Sequence, residues 1–174
     1  MRRERSDGAR ARIEPAMPLE IERKFLVAGD GWRAGASPGV RFCQGYLADA
    51  NATVRIRRAG ERACVTIKGR PSGIVRAEYE YLIPVQDAEE LLQLCRKPLI
   101  EKTRYAVRHG SHVWAVDVFA GANQGLVLGE IELRDPNETF ARPDWLGREV
   151  TYEPGYRNSA LAIAPIPSPM TLVV

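Results

Sequence analysis

From Glu20 to Arg134 apolar and polar residues mostly alternate with a period of two, in short runs punctuated by glycine and proline, which is the pattern of half-buried strands. The runs lie at Glu20 to Val27, Val40 to Leu47, Thr53 to Arg57, Ala63 to Lys68, Ala77 to Ile83, Ile100 to Val107, Val113 to Phe119 and Val127 to Arg134. The Ala59-Gly60-Glu61 turn predicts a hairpin between the third and fourth. The period changes once. After Pro84, Asp87 and Glu90 form a capping-box-like start, and Leu91, Leu92 and Leu94 predict an amphipathic helix ending near Cys95. Short helical turns are expected around Trp145 and from Asn158 to Ile163. Eight strands joined by short turns, with one long helix, predict an α+β domain on an eight-stranded antiparallel barrel, closed or nearly so, over residues 18–164. Residues 1–17 read as a disordered Arg-rich extension and residues 165–174 as a mobile tail, with Met17 an alternative start of translation.

The polar faces of the strands are segregated by sign. Glu20, Glu22 and Lys24 share one face, Arg55 and Arg57 another; Thr66 with Lys68, Glu78 with Glu80, Lys102 with Arg104 and Glu130 with Glu132 follow, and Asp117 lies opposite Val116 and Val118. Two carboxylates two residues apart on a strand stand about 7 Å from each other and repel by roughly 2 kcal/mol at an effective dielectric near 20. Solvent-facing strands relieve this by mixing signs and hydroxyls, and exposure to solvent is the ordinary explanation for any one strand. Repeated like-charged pairs in one chain favour instead a barrel in which acidic strands meet basic ones or a shared ligand. Carboxylates hold hard divalent cations, and arginines and lysines hold a polyanion. Magnesium joins the two because it takes carboxylate and phosphate oxygens together. On this pattern, neutralising Glu130 and Glu132 is expected to relieve repulsion and leave stability equal or higher.

Composition narrows the choice of partner. The net charge of +3 suggests nucleic-acid binding until it is located: residues 1–12 carry five arginines against two acids, so the domain itself is neutral. No apolar run approaches membrane-spanning length. Three cysteines without a Cys-x-x-Cys spacing fit a reducing compartment, so a cytoplasmic location without membrane or nucleic-acid partners is expected. His109 and His112 read as surface turn residues, Trp32, Trp114 and Trp145 as packing residues, and Cys64 as a small buried hydrophobe.

Glu20-x-Glu22-x-Lys24 resembles the E-x-E-x-K signature of the CYTH superfamily, the triphosphate tunnel metalloenzymes. The ordered set Gln44-Gly45-Tyr46-Leu47, Arg55-x-Arg57, Thr66-Ile67-Lys68-Gly69, Glu78-x-Glu80, Glu101-Lys102-Thr103-Arg104-Tyr105, Asp117, Glu130-x-Glu132-Leu133, Trp145 to Thr151 and Tyr156-Arg157-Asn158-Ser159 resembles its short, single-domain bacterial branch. The resemblance covers about residues 18–164 and departs at Ala120, where a larger polar residue is expected. It implies that the barrel is a tunnel with the charges inside and helices on its apolar outside. It further implies hydrolysis of inorganic triphosphate or a close analogue, with one or two Mg²⁺ or Mn²⁺ ions. Arg55, Arg57, Lys68, Lys102 and Arg104 would hold phosphates; Glu20, Glu22, Glu78, Glu80, Asp117, Glu130 and Glu132 would hold metal. Lys24 and Tyr46 would form an acid/base pair acting on the attacking water, the plain alternative for Tyr46 being a barrel-wall aromatic. A class IV adenylate cyclase or a non-catalytic polyphosphate or nucleotide sensor are the competing readings, and a homodimer stays open.

Overall fold

The computed structural model describes residues 19–49 and 51–166; most of the N-terminal extension and C-terminal tail of the sequence reading lies outside them. Eight strands form the barrel: β1 (Leu19–Val27), β2 (Val40–Asp49), β3 (Thr53–Ala59), β4 (Arg62–Lys68), β5 (Val75–Ile83), β6 (Ile100–His109), β7 (His112–Ala120) and β8 (Val127–Glu132). All pair antiparallel, in the circular order β1-β5-β4-β3-β2-β6-β7-β8 and back to β1. The β3–β4 and β6–β7 hairpins turn at Gly60 and Gly110, both at φ +58°, a conformation that glycine adopts without steric penalty.

Closure is uneven. The β1–β5 seam consists of three residue pairs, Leu19 with Ala77, Glu20 with Arg76 and Ile21 with Val75. Beyond it β1 turns its edge to β9 (Leu146–Glu149) and to Val150, whose N–H donates to the Lys24 carbonyl at 2.8 Å. The half of β5 from Glu78 to Ile83 pairs only with β4 among the described residues.

Two elements differ from the sequence reading. Where a helical turn is expected around Trp145, a single turn, with the Leu146 N–H donating to the Pro143 carbonyl at 3.1 Å, leads directly into β9, a strand the sequence reading does not contain. Four residues containing a glycine are too short to show a strand period, and Gly147 packs so close that a Cβ there would stand 3.3 Å from the Leu26 carbonyl oxygen. The long helix, α1 (Val85–Leu94), begins two residues before Asp87 with Pro84 at its N-cap and no side-chain cap. Asp87 instead sits in the first turn, where its charge suits the helix dipole.

Strand alternation makes one core outside the barrel and another inside it. Outside, Phe25, Val107, Trp114 and Ile131 pack under Trp32, Phe140 and Trp145, so a 3-10 turn and the segment after β8 cover that wall. His112 belongs to this cover and is not a free turn residue: its Nε2 lies 2.9 Å from Glu138 and its ring stands edge-on to Phe140. On the other side α1 lays Ala88 and Leu92 over Ile56 and Ala63. Inside, Tyr46, Ile100, Phe119 and Leu128, on the lumen faces of β2, β6, β7 and β8, pack against Val150 and against Leu161 of α2 (Asn158–Leu161). Ile166, in the expected tail, is tied to this cluster through a 3.0 Å bond from its N–H to Asn123.

Candidate active site

The remaining lumen is a cavity of about 490 Å³ lined by eight basic and seven acidic side chains, so the segregation read from single strands resolves into near-neutrality across the barrel. Every predicted site residue except Asp117 lines it. Asp117, fully buried, shares the lumen face of β7 with Phe119 but is covered by its partners: Lys102 reaches it at 2.5 Å and Arg104 grips it through two bonds at 2.7 and 2.6 Å. Both of its oxygens are taken up by these two cations, as charge-assisted bonds.

The other acids divide in the same way. Glu20 receives Lys68 at 2.7 Å and Arg76 at 2.5 Å; burial alone would raise its pKa, but the two cations outweigh burial and hold it down to about 2. Glu78 accepts from Lys68 at 3.0 Å, while Glu80 accepts from Arg57 at 2.8 Å and from the Thr66 hydroxyl at 2.9 Å. Arg55 lies between them, 3.6 Å from Glu78 and 3.3 Å from Glu80. Glu130, almost fully buried, takes Lys24 at 2.6 Å and also pairs with Arg104.

Glu22 and Glu132 are different. They stand directly opposite each other on β1 and β8. Glu22 shares Lys24 at 3.2 Å, and its carboxyl is raised above the ordinary range by burial first and then by the neighbouring Glu130 charge. Glu132 has no ion-pair partner among the described residues. Among the described residues no three carboxylate, His or Cys side chains converge as a ready-made metal cluster. Like charges facing across a ladder are destabilising when nothing lies between them, so a hard divalent cation between Glu22 and Glu132 would suit the chemistry of this pair.

Lys24 is held charged: burial would lower its pKa, but Glu130 and Glu22 raise it above the ordinary lysine value. Lys102 goes the other way. Burial and the adjacent Arg104 outweigh Asp117 and bring it down to about 8. The Lys24 ammonium rests on carboxylates, whereas the Tyr46 hydroxyl accepts a 2.8 Å bond from Gln44, so the two members of the expected acid/base pair are held by different partners here.

Three lumen residues were not among the predicted site residues. Arg76 shares the β5 face of Glu78 and Glu80, with the opposite sign, and the strand parity that marks those glutamates marks it too. Phe42 stands among Arg57, Lys102 and Arg104 at 5.2 to 6.0 Å from its ring centre. Arg157 lines the cavity with no ion-pair partner among the described residues; the Tyr156-Arg157-Asn158-Ser159 motif marked its segment, but its place in the lumen depends on how the C-terminal segment folds back.

Residues 18–161 match the CYTH domain. The chain belongs to the CYTH family. It is 49% identical over 151 residues to an inorganic triphosphatase of Acetivibrio thermocellus, covering 86% of this chain and 96% of the relative. It is 37% identical over 150 residues to an inorganic triphosphatase of Nitrosomonas europaea, covering 83% and 97%. The crystal structure of the inorganic triphosphatase NE1496 superposes with a TM-score of 0.62 at 36% identity, covering 86% of this chain and 97% of that one. As a CYTH protein, the chain has the closed antiparallel barrel with inward charges that the resemblance implied. No helix among the described residues is long and apolar enough to cross a membrane.

Proposed function

We propose that this CYTH protein hydrolyses inorganic triphosphate, or a closely related triphosphate, with a divalent cation bound at Glu22, Glu130 and Glu132. The observation that carries the reading is the sorting of the lumen into cations held by carboxylates and one facing acidic pair, in which Glu22 only shares Lys24 with Glu130 and Glu132 has no ion-pair partner among the described residues. Arg55, Arg57, Lys68, Lys102 and Arg104 converge on one cavity and bind the phosphate oxygens, the guanidinium groups as planar forks and the ammonium groups as point charges. Glu20, Glu78, Glu80 and Asp117 hold those cations in position and offset their mutual repulsion when no anion is present. Held by Glu22, Glu130 and Glu132, Mg²⁺ or Mn²⁺ would supply charge neutralisation for the reacting phosphate and would lower the pKa of a water. Lys24, buried and charged beside Glu22 and Glu130, orients the attacking water from the same side.

Phosphate release from triphosphate with added Mg²⁺, abolished by EDTA and by the joint substitution Glu22→Gln and Glu132→Gln, is the expected result. Cyclic AMP formed from ATP in place of phosphate release, or triphosphate binding without turnover under any divalent ion, would overturn it.

A further inference from the structure

Gln44 is fully buried in the lumen wall, and only one end of its amide is satisfied. Its Nε2 donates to the Tyr46 hydroxyl at 2.8 Å, while its Oε1 has no partner among the described residues. The backbone around the pair is pinned. Gly45 between them presses so closely on α1's end that a Cβ would stand 2.5 Å from the Cys95 Cβ, and the Tyr46 carbonyl accepts from Arg96 at 3.2 Å. The Tyr46 ring is fixed in the inner apolar cluster, and Tyr46 lines the charged cavity together with Lys24 and Arg55.

A neutral phenol has one proton to give and lone pairs to receive. Gln44 fills a lone pair, so the proton is left free, and among the described residues it meets no acceptor. The opposite amide orientation would spend the phenol proton on Gln44 and bury an unpartnered N–H, which proteins tolerate less well than an under-used carbonyl. We propose that Gln44 is a positioning residue that turns the Tyr46 hydroxyl toward the triphosphate as a hydrogen-bond donor, so that Tyr46 acts as an uncharged donor and not as a base. Burial supports this: it pushes Tyr46 up to about 12 despite the nearby Arg55 and Lys24, and a phenol so weakly acidic stays protonated throughout the reaction. It gives a hydrogen bond to a phosphate oxygen whose negative charge grows as the bridging P–O bond breaks, and no proton leaves Tyr46.

This assignment rests on the triphosphatase reading. Removing a donor of this kind predicts that Tyr46→Phe lowers kcat by about a hundredfold with KM little changed. Gln44→Leu, similar in volume, is expected to lower kcat about tenfold in the wild-type background and to add nothing in the Tyr46→Phe background, because the two act as a unit. Gln44→Glu supplies a second arm independent of core packing. As a carboxylate it accepts the phenol proton and suppresses turnover at pH 8, and on acidification it becomes a donor again and turnover recovers relative to wild type. Losses that multiply independently, a Tyr46→Phe enzyme with full kcat, or a Gln44→Glu enzyme with the wild-type pH profile would each overturn the assignment while leaving the triphosphatase reading intact. A wild-type chain that releases no phosphate from triphosphate would remove both.

Discussion

At the scale of single residues the lumen separates charges that the sequence presents as equivalent. Lys102 and Arg104 are two apart on one strand and share Asp117, yet burial leaves Lys102 titrating near 8 while Arg104 stays charged. The free enzyme therefore loses one phosphate-binding charge as pH rises through about 8, and kcat/KM for triphosphate should fall there. Lys102→Arg should abolish that fall, measured as a kcat/KM profile from pH 6 to 10. The decline is not unfolding: with its folded pKa below the ordinary 10.5, Lys102 contributes stability that rises with pH between those values. Lys24→Ala should lower kcat by roughly a hundredfold or more with triphosphate binding little changed, read by steady-state kinetics and calorimetry. The expected gain in stability on neutralising Glu130 and Glu132 divides in the structure. Glu132→Gln should leave the melting temperature equal or higher, whereas Glu130→Gln strips a buried partner from both Lys24 and Arg104 and should lower it. The sequence shows the like-charged pair; which member is buried under cations depends on strands distant in the chain.

At the scale of elements, alternation carried most of the fold. Each barrel strand is visible as a period of two, whereas the inward direction of the charges comes from the family resemblance; alternation alone fits an outward face equally well, and the structure shows the charges lining the lumen with the apolar outside covered. What was not legible is short or non-local: β9 has too few residues to show a period, and α1 starts at a proline without a capping side chain. Gly45 marks where two elements meet without a local signal. Gly45→Ala would force Cys95 and Leu99 away, since the new Cβ would lie 2.5 and 2.8 Å from them. Overpacking of this kind costs about 1–3 kcal/mol. That should appear as a drop of several degrees in melting temperature, by calorimetry. The β1–β5 seam carries its own pH dependence. Glu20, held down to about 2, contributes stability that is present above 4.5 and is lost as pH falls toward 2. Thermal melts of Glu20→Gln should show a shallower loss across that window than the wild type.

At the scale of the whole molecule, the near-neutral lumen makes metal and substrate depend on each other. Triphosphate entering alone must draw Lys68, Arg55 or Arg104 from carboxylates, and a cation entering alone must draw Glu22 and Glu130 from Lys24. Together they replace what each disrupts. Affinity of the wild-type chain for a non-hydrolysable triphosphate analogue should therefore rise by about 5- to 150-fold when Mg²⁺ is added, and Mg²⁺ affinity by the same factor when the analogue is present. Equal affinities with and without the second ligand, by isothermal titration, would sink this coupling. The same Lys68 that meets the substrate also braces the barrel, since Glu20 and Arg76 form one of only three residue pairs joining the first strand to the fifth. The ring is thus a cylinder with a short zip, and the zip shares a tooth with the catalytic cavity. Amide hydrogen exchange should read this directly: Val75 to Ala77 should exchange sooner than the β6–β7 hairpin, whose ladder runs to nine pairs, and their protection should change when triphosphate occupies Lys68.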